Sequence, residues 1–338
     1  MSTDKNKSGV LKGRWYFAVL ILTFGLSVGF FLGRALSVKA QRAAGVSVRV
    51  KDDAYQFISP LLLSADGPID STQLEYKVLK SKITEYINRE VASGDHVSVY
   101  FRDLNKAQWI GIDQDTQYNP ASLLKVMVMM GYFKKAEEDP GILSKKIVYA
   151  PELLKTLDSV AFAAPTELVS GRSYTIEDLI NKMIVHSDNG AKDMLYLNID
   201  PVYLEQMYTE LGMSNPDQAA GYTISAQSYS MFFRLLYNAT YLNREYSNKA
   251  LDVLSKATFD EGLRQGVPAD VPIAHKFGEY VNGSAGKFTN YQLHDCGIVY
   301  AAIRPYFLCV MTEGSTAEID SKYIGDISTL VYKNFALK

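Results

Sequence analysis

The stretch Asn119–Phe133, NPASLLKVMVMMGYF, sets one lysine inside an apolar run, three residues after a serine. Asn119 is a good N-cap and Pro120 a good first helical residue, so a helix is expected to begin here with Ser122 in its first turn. Free N–H groups and the positive end of the helix dipole favour an oxyanion at that point. Lys125 follows at i+3, on the same face. Leu123 to Met130 are apolar nearly all round, which predicts a central, buried helix. Burial lowers a lysine pKa and frees a neutral amine to act as a base. The stretch reads as a device for activating the Ser122 hydroxyl. The motif alone is weak, because S-x-x-K also occurs at Ser2–Lys5 and Ser284–Lys287. A snorkelling lysine beside a capping serine is the bland alternative.

Working outward, residues 71–93 carry Leu74, Val78, Ile83, Ile87 and Val91 at helical spacing. HVSVYFRDL and AQWIGID then read as a β-hairpin across NKA. From about 119 to 260 the pattern is helical. Strands return at VPIAHKFGEY, QLHDCGIVYAA and PYFLCVMTE, and a helix closes the chain. The order predicts an α+β fold. In it, one five-stranded antiparallel sheet is built from both chain ends, with the helical block inserted.

The N-terminus reads as an anchor. Trp15 to Gly33 is 19 residues without a charge, about 28 Å of helix. A cleaved signal peptide is the competitor, but this core is longer than an ordinary h-region. The expected organisation is a cytoplasmic tail at 1–14, a transmembrane anchor at 15–33, a tether at 34–70 and a folded domain at 71–338, outside the membrane. Gly25, Gly29 and Gly33 repeat every four residues. That spacing lets two helices approach and dimerise, although glycine is common in membrane helices anyway. Residues 1–51 hold nine Lys/Arg against Asp4, leaving 26 basic and 36 acidic residues, a net of −10, in 52–338. An acidic body with no dense basic patch argues against nucleic acid as a partner. Cys296 and Cys309 fall opposite or nearly opposite on two strands. Free buried thiols are the expectation, since bonding facing strands is geometrically demanding, with a cross-strand disulfide as the alternative. His96, His186, His275 and His294 show no metal-ligand spacing, so structural roles are expected for all four and no metal or other cofactor is implied.

Two further elements join the first: Ser187-Asp188-Asn189 after a helix, and Lys276-Phe277-Gly278 on a strand. Ser122-x-x-Lys125, Ser187-Asp188-Asn189 and Lys276-x-Gly278, in that order, resemble the active-serine penicillin-recognising enzymes. The inferred architecture over about 71–338 resembles class A β-lactamases in particular. The resemblance implies Ser122 as nucleophile, Lys125 as its base and Ser187 as proton donor to the leaving nitrogen. It gives Asn189 and Lys276 to substrate binding and Asp188 to holding its loop. It also assigns an oxyanion hole to the backbone N–H groups of Ser122 and Glu279. Gly278 would let the strand edge approach the substrate closely.

Two departures stand out. Between Lys276 and Gly278 the family has Thr or Ser; here Phe277 brings a ring and no hydroxyl, so recognition of a substrate carboxylate is altered. The Glu-x-x-Leu-Asn loop, whose glutamate activates the deacylating water, has no counterpart between Asn189 and Ser225. Glu205 and Glu210 sit in a helical pattern, and Asp217, the one acid in the linker 212–225, is better explained by a turn. The anchor read from residues 15–33 together with the resemblance implies a membrane-anchored serine hydrolase, and the resemblance places it facing the outside of a bacterial cell. Its substrates would be β-lactams or the D-Ala-D-Ala-type cell-wall peptides they mimic, and its deacylation would be slow. The competing reading is a non-catalytic sensor or binding module with the same fold.

Overall fold

The computed structural model describes residues 48–49, 54–63, 72–153, 167–216, 221–284, 287–314 and 316–337. The chain divides into two compact units, residues 1–48 with 63–70 and residues 49–62 with 71–338. The expected anchor at 15–33, its three glycines and Asp217 lie outside the described residues. Among those described, no helix is long and apolar enough to cross a membrane.

In the larger unit, helix α1 (Thr72–Glu90) leads into strands β1 (His96–Asp103) and β2 (Trp109–Ile112). A short 3-10 turn (Ala121–Leu124) then runs into α2 (Lys125–Glu138). The small strands β3 (Lys146–Val148) and β4 (Ser173–Thr175) pair before the helical block α3 (Ile176–Val185), α4 (Asn189–Leu197), α5 (Pro201–Glu210), α6 (Ala226–Asn238) and α7 (Arg244–Ser255). Strands β5 (Ile273–Ser284), β6 (Lys287–Val299) and β7 (Tyr306–Gly314) and helix α8 (Ala317–Val331) complete the chain.

The large sheet runs β2-β1-β7-β6-β5, so the last strand pairs with the first, Val99 against Val310 and Phe101 against Leu308. This is the five-stranded sheet from both chain ends that the sequence predicts. Strand alternation splits the core in two. Tyr100, Phe307 and Met311 face the helical block, while Val99, Phe101, Leu308 and Val310 face α1 and α8. Several helices start on side-chain caps: Thr175 forms a reciprocal capping box with Asp178, and Asp188, Asp200, Ser225 and Asn243 accept from the first-turn amides.

Two expectations are corrected here. Cys296 and Cys309 are not free thiols: the β6–β7 register sets them directly opposite, and they form a disulfide. The stretch read as tether also contains a docked strap. Phe57 and Ile58 are buried in the core on the helical side, and the Phe57 amide donates to Asn248 Oδ1 at 2.8 Å. Two apolar residues are enough to dock this segment, because α6 and β6 offer it backbone and side-chain partners. The Ser59 amide donates to the Tyr237 carbonyl at 2.8 Å, and Tyr300 Oη donates to the Phe57 carbonyl at 3.1 Å.

Candidate active site

Ser122 sits where the helical block meets edge strand β5. It lies on the 3-10 turn, partly exposed, and the α-helix proper begins only at Lys125. The expected helix start is therefore shifted. Asn119 Oδ1 accepts from the Ala121 amide at 2.9 Å, and Ala121 takes a φ of +45°, which breaks the helical path before Ser122. The turn is tied from both sides. Asn119 donates its amide to Gln292 Oε1 (3.1 Å), and its carbonyl accepts from His294 Nε2 (3.0 Å). Tyr118 bridges backbone to backbone with Ile224, and Tyr229 Oη donates to the Leu123 carbonyl at 3.1 Å.

His294, Gln292 and Tyr229 position the turn and were not identified from the sequence. Burial holds the His294 imidazole down to about 4, so it is neutral at pH 7. In that state Nε2–H donates to Asn119 while Nδ1 accepts from the Thr312 amide at 3.3 Å. The β5–β6 register, which sets His294 across from Gly278, is what brings it to the turn, and no local sequence signal announces it.

Lys125 is 1% exposed. Its amine does not bond to Ser122; it donates to the Ser187 carbonyl (2.5 Å), Ser187 Oγ (3.1 Å) and Asn189 Oδ1 (2.7 Å). Burial first, then the like charges of Lys276 and Lys192, hold its pKa well below the ordinary lysine value, while Asp188 and Asp193 pull the other way. Lys276, also 1% exposed, donates to Ser187 Oγ at 2.9 Å and to the Phe277 carbonyl at 3.1 Å. Burial brings its pKa down to about 7 against the opposing pull of Asp295.

The Ser187 hydroxyl oxygen therefore accepts from two lysines. Its backbone φ of +55° lies in the left-handed region, a conformation held in place by these bonds. Asp188 caps α4 by accepting from the Ala191 amide at 2.9 Å. Asn189, its carbonyl end engaged by Lys125, has its amide N–H groups left to donate.

On β5, Gly278 has a more specific reason than expected. A Cβ there would lie 2.8 Å from the Pro120 carbonyl and 3.0 Å from Leu123 Cγ, so it is the turn carrying Ser122 that approaches the strand. As β5 is an edge strand, half its backbone polar groups point away from β6. Phe277 does not line an open pocket. It is buried, stacked on Phe259 (4.0 Å between centroids), and Lys276 Nζ lies 4.2 Å from its ring centroid. The Glu279 side chain accepts from Tyr291 Oη.

His275 points away from Lys276 and bonds Asp295 through Nδ1 at 2.9 Å, and among the described residues no cluster of ligands could hold an ion. Chemically, the site offers a partly exposed hydroxyl, a buried amine disposed to be neutral, a second hydroxyl between two lysines and an edge strand's outward-facing backbone. That is the equipment for opening an amide by acyl transfer.

Residues 78–335 match the model of the β-lactamase enzyme family, and the chain belongs to that family, whose members are serine hydrolases. A β-lactamase of Streptomyces fradiae is 23% identical over 248 residues, which cover 68% of this chain and 78% of that protein. Among solved structures, PBP-A aligns with a TM-score of 0.64 at 20% identity, covering 77% of this chain and 97% of its own. The class A β-lactamase from Mycobacterium abscessus aligns at 0.62 and 20%, covering 76% and 99%. At these identities the structural matches establish the shared fold.

Proposed function

We propose that this chain is a membrane-anchored acyl-transfer enzyme. It opens β-lactams, or the D-Ala-D-Ala-type peptides they resemble, through an ester on Ser122, on the outer face of a bacterial cell membrane. The observation that carries the reading is the convergence of Lys125 and Lys276 on Ser187 Oγ, beside the Ser122 turn. Ser122 Oγ attacks the carbonyl carbon and its proton passes to the Lys125 amine. The C–N bond then breaks, and Ser187 gives its proton to the leaving nitrogen and is refilled from Lys125. The backbone N–H groups of Ser122 and Glu279 hold the oxyanion, Asn189 donates to the substrate amide, and Lys276 attracts its carboxylate. The structural relative PBP-A has been captured, as a variant, as an acyl-enzyme with penicillin G.

The linker 211–225 contains no glutamate, so release of the acyl group is slow or goes to an acceptor other than water. The test uses the full chain in detergent with a fluorescent penicillin, read on denaturing gels and by mass spectrometry. A stable adduct on Ser122, absent in Ser122→Ala, supports the reading. Rapid loss of β-lactam absorbance without an adduct would mean efficient turnover. Neither adduct nor turnover would favour the sensor or binding-module reading, which Phe277 and the missing glutamate motivate.

A further inference from the structure

Three arginines gather on a body whose net charge is strongly negative. Arg49, Arg102 and Arg234 form no ion pair among the described residues. Arg102 Nη1 lies 3.4 Å from Tyr100 Oη, to which it donates, and Tyr100 stacks on Trp109 at 5.6 Å. Tyr100, Arg102 and Trp109 share the sheet face that α6 borders, since Arg102 is paired with Trp109 across β1–β2. Arg234 stands exposed on α6, one turn before Tyr237 and Asn238. Arg49 closes the group: its Nη1 donates to the Ser59 carbonyl (2.6 Å) and Asn238 Oδ1 (2.8 Å), and its guanidinium lies over the Tyr237 ring at 5.2 Å.

Burial and the nearby Arg102 charge both disfavour the charged forms of Arg49 and Arg234. The neighbouring carboxylate, Asp103, is buried and engaged by Tyr76 Oη (2.7 Å), Arg304 and two turn amides. Arg49 Nε is buried with no partner among the described residues. A cavity of about 650 Å³ is lined in part by Asn105, Tyr300 and the two residues that Arg49 engages, Ser59 and Tyr237. At the same margin Trp109 is 47% and Ile303 73% exposed, and Asn105 Nδ2 donates to the Ile303 carbonyl at 3.3 Å.

Mutually repelling guanidiniums without carboxylates call for an external anion. An exposed tryptophan and isoleucine beside them match a bilayer interface better than bulk water. We propose that this face seats the folded body on a membrane surface, with Arg49, Arg102 and Arg234 taking the phosphates of anionic phospholipid headgroups and Trp109 entering the interface. The proposal is independent of the catalytic reading and of the anchor, which would hold the chain near a bilayer without choosing which face meets it.

The test follows Trp109 fluorescence in the full chain carrying Trp15→Phe, leaving Trp109 as the single tryptophan. The chain is reconstituted in vesicles of brominated phosphatidylglycerol or brominated phosphatidylcholine. At least twofold stronger quenching in the phosphatidylglycerol vesicles is expected. Arg102→Gln with Arg234→Gln brings that quenching down to the phosphatidylcholine level. Arg102→Lys with Arg234→Lys, which keeps the charge, retains it, and this separates loss of charge from loss of fold. Equal quenching in the two lipids, or quenching that survives both glutamines, overturns the proposal. So does an equal fluorescence change with inorganic phosphate in unbrominated phosphatidylcholine vesicles, which would mark a discrete phosphate pocket instead.

Discussion

Phe277 fills the position between Lys276 and Gly278 where the family resemblance calls for a hydroxyl, and its ring replaces a hydrogen bond with a surface. Phe259 stacks beneath it and Lys276 lies near its ring, so the residue helps hold the lysine that points at Ser187. Phe277→Thr tests both halves of this. With a carboxylate-bearing penicillin, Ser122 acylation is expected to rise about tenfold, one charge-assisted hydrogen bond's worth. Equilibrium unfolding in denaturant is expected to show a loss of about 3 kcal/mol for the cavity left against Phe259. No gain in acylation would mean that the hydroxyl is not what this site lacks.

A second residue-scale prediction concerns pH. On the proposed mechanism acylation needs Lys125 neutral and Lys276 charged, so the rate of adduct formation should climb as Lys125 deprotonates and decline as Lys276 loses its proton near pH 7. Lys276→Arg, which stays charged, should remove that decline. The same depressed values act on stability: between about 7 and the ordinary lysine pKa the unfolded chain binds more protons than the native one, so stability increases as pH rises through that window. A denaturation midpoint that fell over this range would contradict the burial of Lys276 as described.

At the scale of elements, the site is a junction between the Ala121–Leu124 turn and β5, and Gly278 makes the contact. Gly278→Ala puts a methyl group against the Pro120 carbonyl and Leu123. The turn must shift by several tenths of an ångström, at a cost of about 1–3 kcal/mol. Misplacing the nucleophile to that degree is expected to reduce acylation about a hundredfold while the far-ultraviolet spectrum stays unchanged. An acylation rate within a factor of three of the parent would show that the turn yields freely.

Elements also mark how far the sequence could be read. Ser122, Lys125, Ser187 and Lys276 were legible because ordered short motifs and helix or strand periodicity locate them. Gln292 and His294 were not, because they act on Asn119 from 173 and 175 residues away. Only register reveals such partners. The disulfide was misjudged for a related reason: its formation depends on direct opposition in the sheet, which hairpin counting leaves uncertain by one residue.

For the molecule as a whole, the strap before the first helix belongs to the body. Phe57 meets Tyr300 edge to face at 5.2 Å and is buried with the helical-side core. Phe57→Ala is expected to lower unfolding free energy by about 3 kcal/mol while leaving the acylation rate of the folded fraction unchanged. A change below 0.5 kcal/mol would return residues 54–60 to the status of a loose tether.

Strand β7 is sandwiched between β1 and β6, so the hairpin that begins the domain waits for a partner about 200 residues downstream. Ordering such a sheet means closing a long loop before many contacts repay it, which favours slow, late folding. During synthesis the helical block can collapse early, but β5, which brings Lys276 and Gly278, docks on a sheet completed only once β6 and β7 have been made. The desolvation that prepares Lys125 therefore comes with the last part of the chain. A nascent chain that has reached α2 but not β5 and β7 carries Ser122 and Lys125 in sequence without the surroundings that bury the Lys125 amine.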